Sequence, residues 1–448
     1  MTRLALLLAA ALPLAAPAQV PPAGPLPAAA ALPPAPPSSP AALPPSPPPA
    51  PPEPTPARAG GVSVDLGGWL AWSAFATFGG LTSNELPRAA VPPSTERTLG
   101  MTVRQSRLRA ALGLPSDGLL AGARLAALVE LDFMGGSAGG DQSLPLVRLR
   151  HGWVSAGWEE LAGLSVLVGQ SWGLVGGPAA PVSLAHLAVP RFSGAGYLDR
   201  RAPQLRASAE VGGALAVQVQ AALLAPVDRA TSPAATAAAP DRPPPTSVGE
   251  RSGLPDLEGR VALRWRPGGE RRLEAGLSGH VGRERWRLAG AAGDVDASVD
   301  SFAGALDLRF DLPWLTVHGG AFYGKNLDVL STLSAGVTLS LNAAGSPIAA
   351  TGVEVHGGWA QAVVRPLPYL SLLAGGGLEA ANRSDLPANP APGTVARRNL
   401  QLSGGALLDL TSRWQAGLEY TSYLTRYVGA ADRDLTSGQL ELATRYAF

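Results

Sequence analysis

From residue 62 to its end, the chain alternates apolar and polar side chains in one run after another. That habit leaves few folds open. The runs lie near 62–78, 100–113, 119–133, 146–157, 163–172, 203–211 and 214–224. They continue near 256–266, 272–286, 298–310, 315–324, 352–365, 369–380, 397–410, 414–427 and 436–448. Alternation with period two is the mark of a strand with two unlike faces. Each run has roughly nine to fifteen residues, enough to cross a bilayer at a tilt. No amphipathic helical run of comparable length interrupts them, so the pattern predicts an all-β chain of about 16 strands. The last run ends in ELATRYAF, although termini are usually frayed and polar. There Leu440, Leu442, Thr444, Tyr446 and Phe448 share one face, and Glu441, Ala443, Arg445 and Ala447 the other.

The connections sort by length. Tight ones include Pro115-Ser116-Asp117-Gly118, Gly212-Gly213, Pro267-Gly268-Gly269, Asp311-Leu312-Pro313, Pro366-Leu367-Pro368 and Thr411-Ser412-Arg413. Long ones lie near 79–99, 134–145, 173–202, 225–255, 325–351 and 381–396. A soluble sandwich has no reason to alternate them. A transmembrane antiparallel β-barrel does, with short periplasmic turns and long outer loops. An even strand number returns the last strand to the periplasm, and closure removes the unpaired edge that lipid cannot satisfy.

The faces agree with this topology. In 119–133, Leu125, Ala127, Val129, Leu131 and Phe133 alternate with Arg124, Ala126, Leu128, Glu130 and Asp132. In 256–266, Leu257, Val261, Leu263 and Trp265 alternate with Glu258, Arg260, Ala262, Arg264 and Arg266. Charge belongs on the wet inner face, because on the lipid face it costs about 2–4 kcal/mol at the midplane. Trp153, Trp265, Trp314, Trp414, Tyr446 and Phe448 sit near strand ends, where interfacial girdles form.

The N-terminal region reads differently. Arg3 precedes LALLLAAALPLAA, closed by Ala16-Pro17-Ala18, which predicts a signal peptide over 1–18. Residues 19–58 are nearly all Pro and Ala and predict an extended linker, leaving 59–448 for the barrel. The chain has no cysteine, so disulfides, thiolate metal sites and a cysteine nucleophile are excluded. A formal charge of +1 gives no net field for nucleic acid. Lys325 is the only lysine, so nearly all positive charge is arginine.

The expected pore-lining residues are Arg107, Arg109, Arg124, Glu130, Asp132, Arg148, Arg150, Arg206, Arg260 and Arg264, with Glu210 and Glu258 as further inward acids. An arginine-rich aqueous wall favours anions, whereas arginines paired across strands with the acids leave a weakly selective pore. The loop Gly173–Arg201 contains the apolar segment PVSLAHLAVPRF and is the candidate constriction, with Arg191, Asp199, Arg200 and Arg201 near the eyelet. The alternative is an outer cap or a contact between subunits.

The stretches RQSRLRAAL (104–112), ALVELDFMGG (127–136), VRLRHGW (147–153) and LVGQSWG (167–173) resemble those of the trimeric DcaP-like outer-membrane porins and the related phosphate-selective porins. The resemblance covers mainly residues 100–210. It implies a sixteen-stranded homotrimeric barrel in outer-membrane lipid that passes small anionic or polar solutes, with Arg107, Arg109, Arg148 and Arg150 facing the pore. Dicarboxylates are the solutes of the first group and phosphate of the second. It also implies recognition of the terminal Phe448 by the barrel assembly machinery. The Pro/Ala linker replaces the helical leader of the diacid channels, and the single lysine departs from the lysine-rich wall of a phosphate channel, so the solute itself does not carry over.

Two other functions compete. An outer-membrane enzyme needs a Ser/His/acid set at one rim, yet His151, His186, His280, His318 and His356 are scattered along the chain. His280, His318 and His356 are placed where inward faces could bring them together around a metal, although lone histidines usually line a wet wall. A plugged barrel acting through its loops is the other. The triplet Gly375-Gly376-Gly377 lies within a strand and opens no helix, so it is no phosphate loop. No catalytic residue, metal or cofactor is expected.

Overall fold

This computed structural model describes residues 61–92, 97–135, 145–227, 246–268, 270–290, 293–334, 336–342, 347–388, 390–391, 393–429 and 433–448. The expected signal peptide and Pro/Ala linker lie outside the described residues. The chain enters the sheet with β1 (Ser63–Phe78), β2 (Arg97–Thr102), β3 (Arg107–Leu114), β4 (Arg124–Gly135) and β5 (Leu146–Trp158). Then follow β6 (Leu164–Trp172), β7 (Arg201–Gly212), β8 (Leu215–Leu224) and β9 (Asp256–Gly268). The long strands β10 (Arg271–Gly290) and β11 (Gly293–Leu312) precede β12 (Leu315–Lys325). A separate hairpin, β13 (Val337–Leu341) and β14 (Pro347–Gly352), occupies the next loop. The sheet ends with β15 (Glu354–Leu367), β16 (Leu370–Ala381), β17 (Ala396–Asp409), β18 (Trp414–Tyr427) and β19 (Arg433–Ala447).

Neighbouring strands run antiparallel, and β1 closes on β19 from Trp69↔Ala447 to Phe78↔Gly438. The sheet has 17 strands, of which β2 and β3 both pair with β1 and share one wall position, so the barrel has 16. Among the described residues no helix is long and apolar enough to cross a membrane. The closed sheet is the all-β barrel predicted from alternation.

Alternation sets the two faces. On β18, Leu418 is 51% exposed while the adjacent Glu419 is 3% exposed. Leu440, Leu442, Tyr446 and Phe448 are exposed beside buried Glu441 and Ala443, as the terminal run predicts. Such a surface is inverted relative to a water-soluble protein and matches a lipid-facing belt around a polar interior. The tight turns gather at one end of the barrel and the long loops at the other. The hairpin β10–β11 departs from this. Its strands run on to Gly290 and Gly293, beyond the expected 272–286 and 298–310, and the β13–β14 hairpin packs on Trp286, Leu288 and Val299 there.

Three local expectations are corrected. The strand expected over 119–133 starts at Arg124, because Gly118 and Gly122 adopt positive φ (54° and 85°) and bend the chain before it. The run expected over 100–113 is broken at 103–106, where Ser106 N bonds back to Val103 O at 3.0 Å. The β4–β5 register slips between Glu130 and Leu131, so that both Arg150 and His151 turn inward. That bulge reverses the phase beyond it. Trp153 consequently packs inside with Leu128 and Leu167 rather than in an interfacial girdle, whereas Trp265, Trp314 and Trp414 are exposed on the outer face.

Candidate functional site

The connection between β6 and β7 follows the inner wall around most of the barrel. Leu174 N donates to Glu258 Oε2 of β9 at 2.6 Å, and Gly176 N to Ser278 Oγ of β10 at 3.1 Å. Val182 exchanges two hydrogen bonds with Gln361 of β15, at 2.7 and 2.9 Å. Ser183 Oγ, Leu184 N and Ala185 N all donate to Glu419 Oε1 of β18, at 3.0, 2.8 and 3.1 Å. Gln105 donates to Ala185 O at 2.6 Å and accepts from Leu187 N and Ala188 N at 2.7 and 3.1 Å. Arg107 and Arg150 then donate to Leu187 O and Ala188 O, at 2.7 and 3.0 Å. The chain returns past β17, where Phe192 N donates to Gln401 Oε1 at 3.2 Å and Asn399 donates to Gly194 O at 2.8 Å. The loop folds inward.

Glycine on the wall makes room for this backbone. A Cβ on Gly377 of β16 would stand 2.1 Å from Ala195 O, and one on Gly375 3.1 Å from Phe192 Cζ. The triplet 375–377 thus marks a close backbone approach inside a strand, as interior strand glycines often do. Beside it, Phe192 and Tyr197 pack on Trp359, with ring centroids 6.2 and 5.4 Å away.

Of the four residues expected at an eyelet, two are tied down by ion pairs. Arg191, 1% exposed, lies 2.9 Å from Glu419 and 2.8 Å from Glu441, and also donates to Thr421. Burial works against its charge, yet Glu441 and Glu419 outweigh burial and hold the guanidinium above its ordinary pKa. Arg200 pairs with Asp256 at 2.7 Å and donates to Ala225 O, also at 2.7 Å. Asp199 accepts from Ser193 Oγ at 2.8 Å. Arg201 lies over the Trp172 ring at 4.8 Å.

The ten residues expected to line the pore alternate onto the inward side, and seven of them fall into two ion-paired groups. In the first, Arg150 is 3.0 Å from Glu130 and 2.8 Å from Asp132, Arg107 is 3.2 Å from Glu130, and Arg148 grips Asp132 with two bonds of 2.9 and 2.6 Å. In the second, Arg260 bonds Asp307 at 3.0 and 2.6 Å and Glu274 at 2.9 Å, while Arg264 is 2.6 Å from Glu210. Arg124 stands apart at the tight-turn end and pairs with Glu159 at 2.5 Å. Arg109 and Arg206 complete the set: Arg206 donates to Gln204 at 3.0 Å and to Trp172 O. Among the described residues, Arg109, Arg201 and Arg206 make no ion pair. Further inward cations lie outside the expected lining, among them Arg104, Arg272, Arg309, Arg365 and Arg445. Arg445 lies over the Trp69 ring at 5.3 Å, opposite β3, and Arg365 donates to Thr316 Oγ1 at 3.2 Å. Period two places both inward, and the terminal run already set Arg445 opposite its apolar face.

The histidines do not meet. His356 is exposed on the outer face, contrary to its expected inward placement, and among the described residues no cluster of three metal-ligating side chains stands together. His280 does lie between Glu258 (3.4 Å) and Ser301 Oγ (3.1 Å), in the order of a catalytic relay. The Ser301 hydroxyl, however, donates to Asn326 O at 2.8 Å, and the adjoining cavity of about 10 Å³ has room for no more than a water. This chain of bonds secures the start of the loop through Glu258.

A closed antiparallel barrel, apolar outside and charged inside, with a long loop folded along its inner wall, is a membrane-channel architecture. No protein-family model and no curated protein matches the chain. Its structure is similar to that of the outer membrane channel DcaP of Acinetobacter baumannii, with a TM-score of 0.64 at 17% identity over 87% of this chain and 98% of that one. It is also similar to OprB of Pseudomonas putida, with a TM-score of 0.53 at 11% identity over 86% of this chain and 94% of that one. The chain therefore has the outer-membrane channel fold that the resemblance in its early strands implied.

Proposed function

We propose that the protein is an outer-membrane porin through which small hydrophilic solutes diffuse passively, with a preference for anions such as carboxylates or phosphate. One observation carries the preference: Arg107, Arg109, Arg148, Arg150, Arg201 and Arg206 share the strands β3–β7 with only three carboxylates, Glu130, Asp132 and Glu210, and the last is paired with Arg264 of β9. Arginines that lack an acid partner on a wet wall attract passing anions and release them readily, as conduction requires. The loop narrows the lumen beside this arc, since its carbonyls at 187 and 188 rest on Arg107 and Arg150. The homotrimer and the assembly role of Phe448, which is half-exposed at the end of the belt, belong to the same reading.

The test is a planar bilayer separating unequal KCl concentrations. Stable single-channel steps are expected, with a reversal potential of the sign set by chloride. A potential of the opposite sign removes the anion preference, and a complete lack of steps removes the channel. Mass measurement of the detergent complex checks the trimer.

A further inference from the structure

The break in the second wall strand has two sides. Residues 103–106 leave the wall and carry Arg104 and Gln105 inward, both buried. Opposite the gap, the Ser106 hydroxyl takes the place of the missing strand: Ala71 N donates to it at 3.0 Å, and it donates to Ala71 O at 3.3 Å. Within a membrane those backbone groups must be paired, and this hydroxyl pairs them. On the outer surface the detour leaves a groove of about 610 Å³, lined by Leu70, Trp72, Val103, Phe133, Trp414 and Tyr446 among others.

We infer that this groove holds an acyl chain of a membrane lipid and keeps it through detergent exchange. The groove is continuous with the lipid-facing belt, for Leu70, Val103 and Tyr446 are among its most exposed apolar residues. Its lining is almost wholly apolar, so water is a poor occupant. An added β-strand is poorly matched as well, because the Ala71 ladder groups are taken and Thr444 Oγ1 is bonded to both Trp414 Nε1 (2.7 Å) and Gln415 O (2.8 Å). A flexible hydrocarbon chain asks for no polar partner and fits an irregular apolar hollow. Its seat also backs Gln105, which holds the infolded loop with three hydrogen bonds on the opposite side of the same turn.

The experiment uses the full-length protein extracted from membranes, exchanged into lipid-free detergent and assayed for total bound fatty acid. Val103→Trp fills the groove and is expected to lower the retained acyl chains several-fold. Leu306→Trp, on the lipid-facing side of β11, is expected to leave them unchanged. Equal retention in all three proteins overturns the inference. Loss of self-association in Val103→Trp with no loss of lipid overturns it too, since a second copy would then occupy the groove. A second reading does not depend on that variant. In bilayers with brominated acyl chains, the protein should show a quenched fluorescence component that Trp72→Phe combined with Trp414→Phe removes and that survives dilution into unbrominated detergent. If no such component appears, the site does not exist.

Discussion

The arcs β3–β7 and β17–β19 line one lumen but handle charge in opposite ways. On β18 and β19 the wall supplies the acids Glu419 and Glu441, and the loop supplies the matching cation, Arg191. His186 adds a ring nitrogen 3.2 Å from Glu441, and three further loop donors converge on Glu419. On β3–β7 the wall supplies the cations, and the loop offers them backbone carbonyls, which accept hydrogen bonds without cancelling charge. The β17–β19 arc is a dry anchorage, with one cation held between two acids. The β3–β7 arc keeps a surplus of positive charge next to the loop. The contrast teaches that one loop can be clamped on its acidic side while its basic side stays available to solutes.

Removing the clamp should have the largest effect. Arg191→Met leaves Glu419 and Glu441 buried without their cation, a loss of about 3–5 kcal/mol for a broken buried pair. The thermal midpoint is expected to fall, and single-channel conductance to rise as the loop comes free. Unchanged conductance would mean that Arg191 does not hold the constriction, and the two arcs would no longer differ in kind. Gly377→Leu attacks the same anchorage by volume. It pushes a side chain into the space of Ala195 O and should cost about 1–3 kcal/mol, altering conductance with little change in ion preference.

The basic arc should respond the other way. Arg109→Gln combined with Arg201→Gln removes two charges that make no ion pair, so stability should fall less than in Arg191→Met. Ion preference is where the change should appear: a unit charge about 4 Å away is worth about 1 kcal/mol in water, enough for a several-fold fall in the chloride-to-potassium permeability ratio. A reversal potential that stays put would show that these two arginines do not set the preference. The smallest effect separates the arcs without mutation. Raising salt from about 0.1 to 1 M shortens the screening length from about 10 to 3 Å, so anion preference should fade. The clamp is dry and should keep the loop in place, as limited proteolysis at low and high salt can verify.

Much of this was legible in the residues, though unevenly. The order of strands, the inward side of Arg107, Arg148 and Arg260, and the even count all follow from alternation and loop length. Three departures did not. The break at 103–106, the bulge at Arg150–His151 and the bend before Arg124 each insert or remove a residue from the period, and a period-two count carries such a slip onward unseen. Trp153 was misplaced for that reason alone. The interior glycines at 375–377 were the available signal for the infolded loop. They need a neighbour to explain them, and that neighbour lies far away in the chain.

Alternating side chains determined by themselves that this chain forms a closed wall with a greasy outside and a charged inside. A period is local, and each residue carries its share of it. Which arginines have their charge matched by a partner was decided only in three dimensions. Arg191 meets Glu441 across 250 positions of chain, and strand register, bulges and the course of one loop bring the two together.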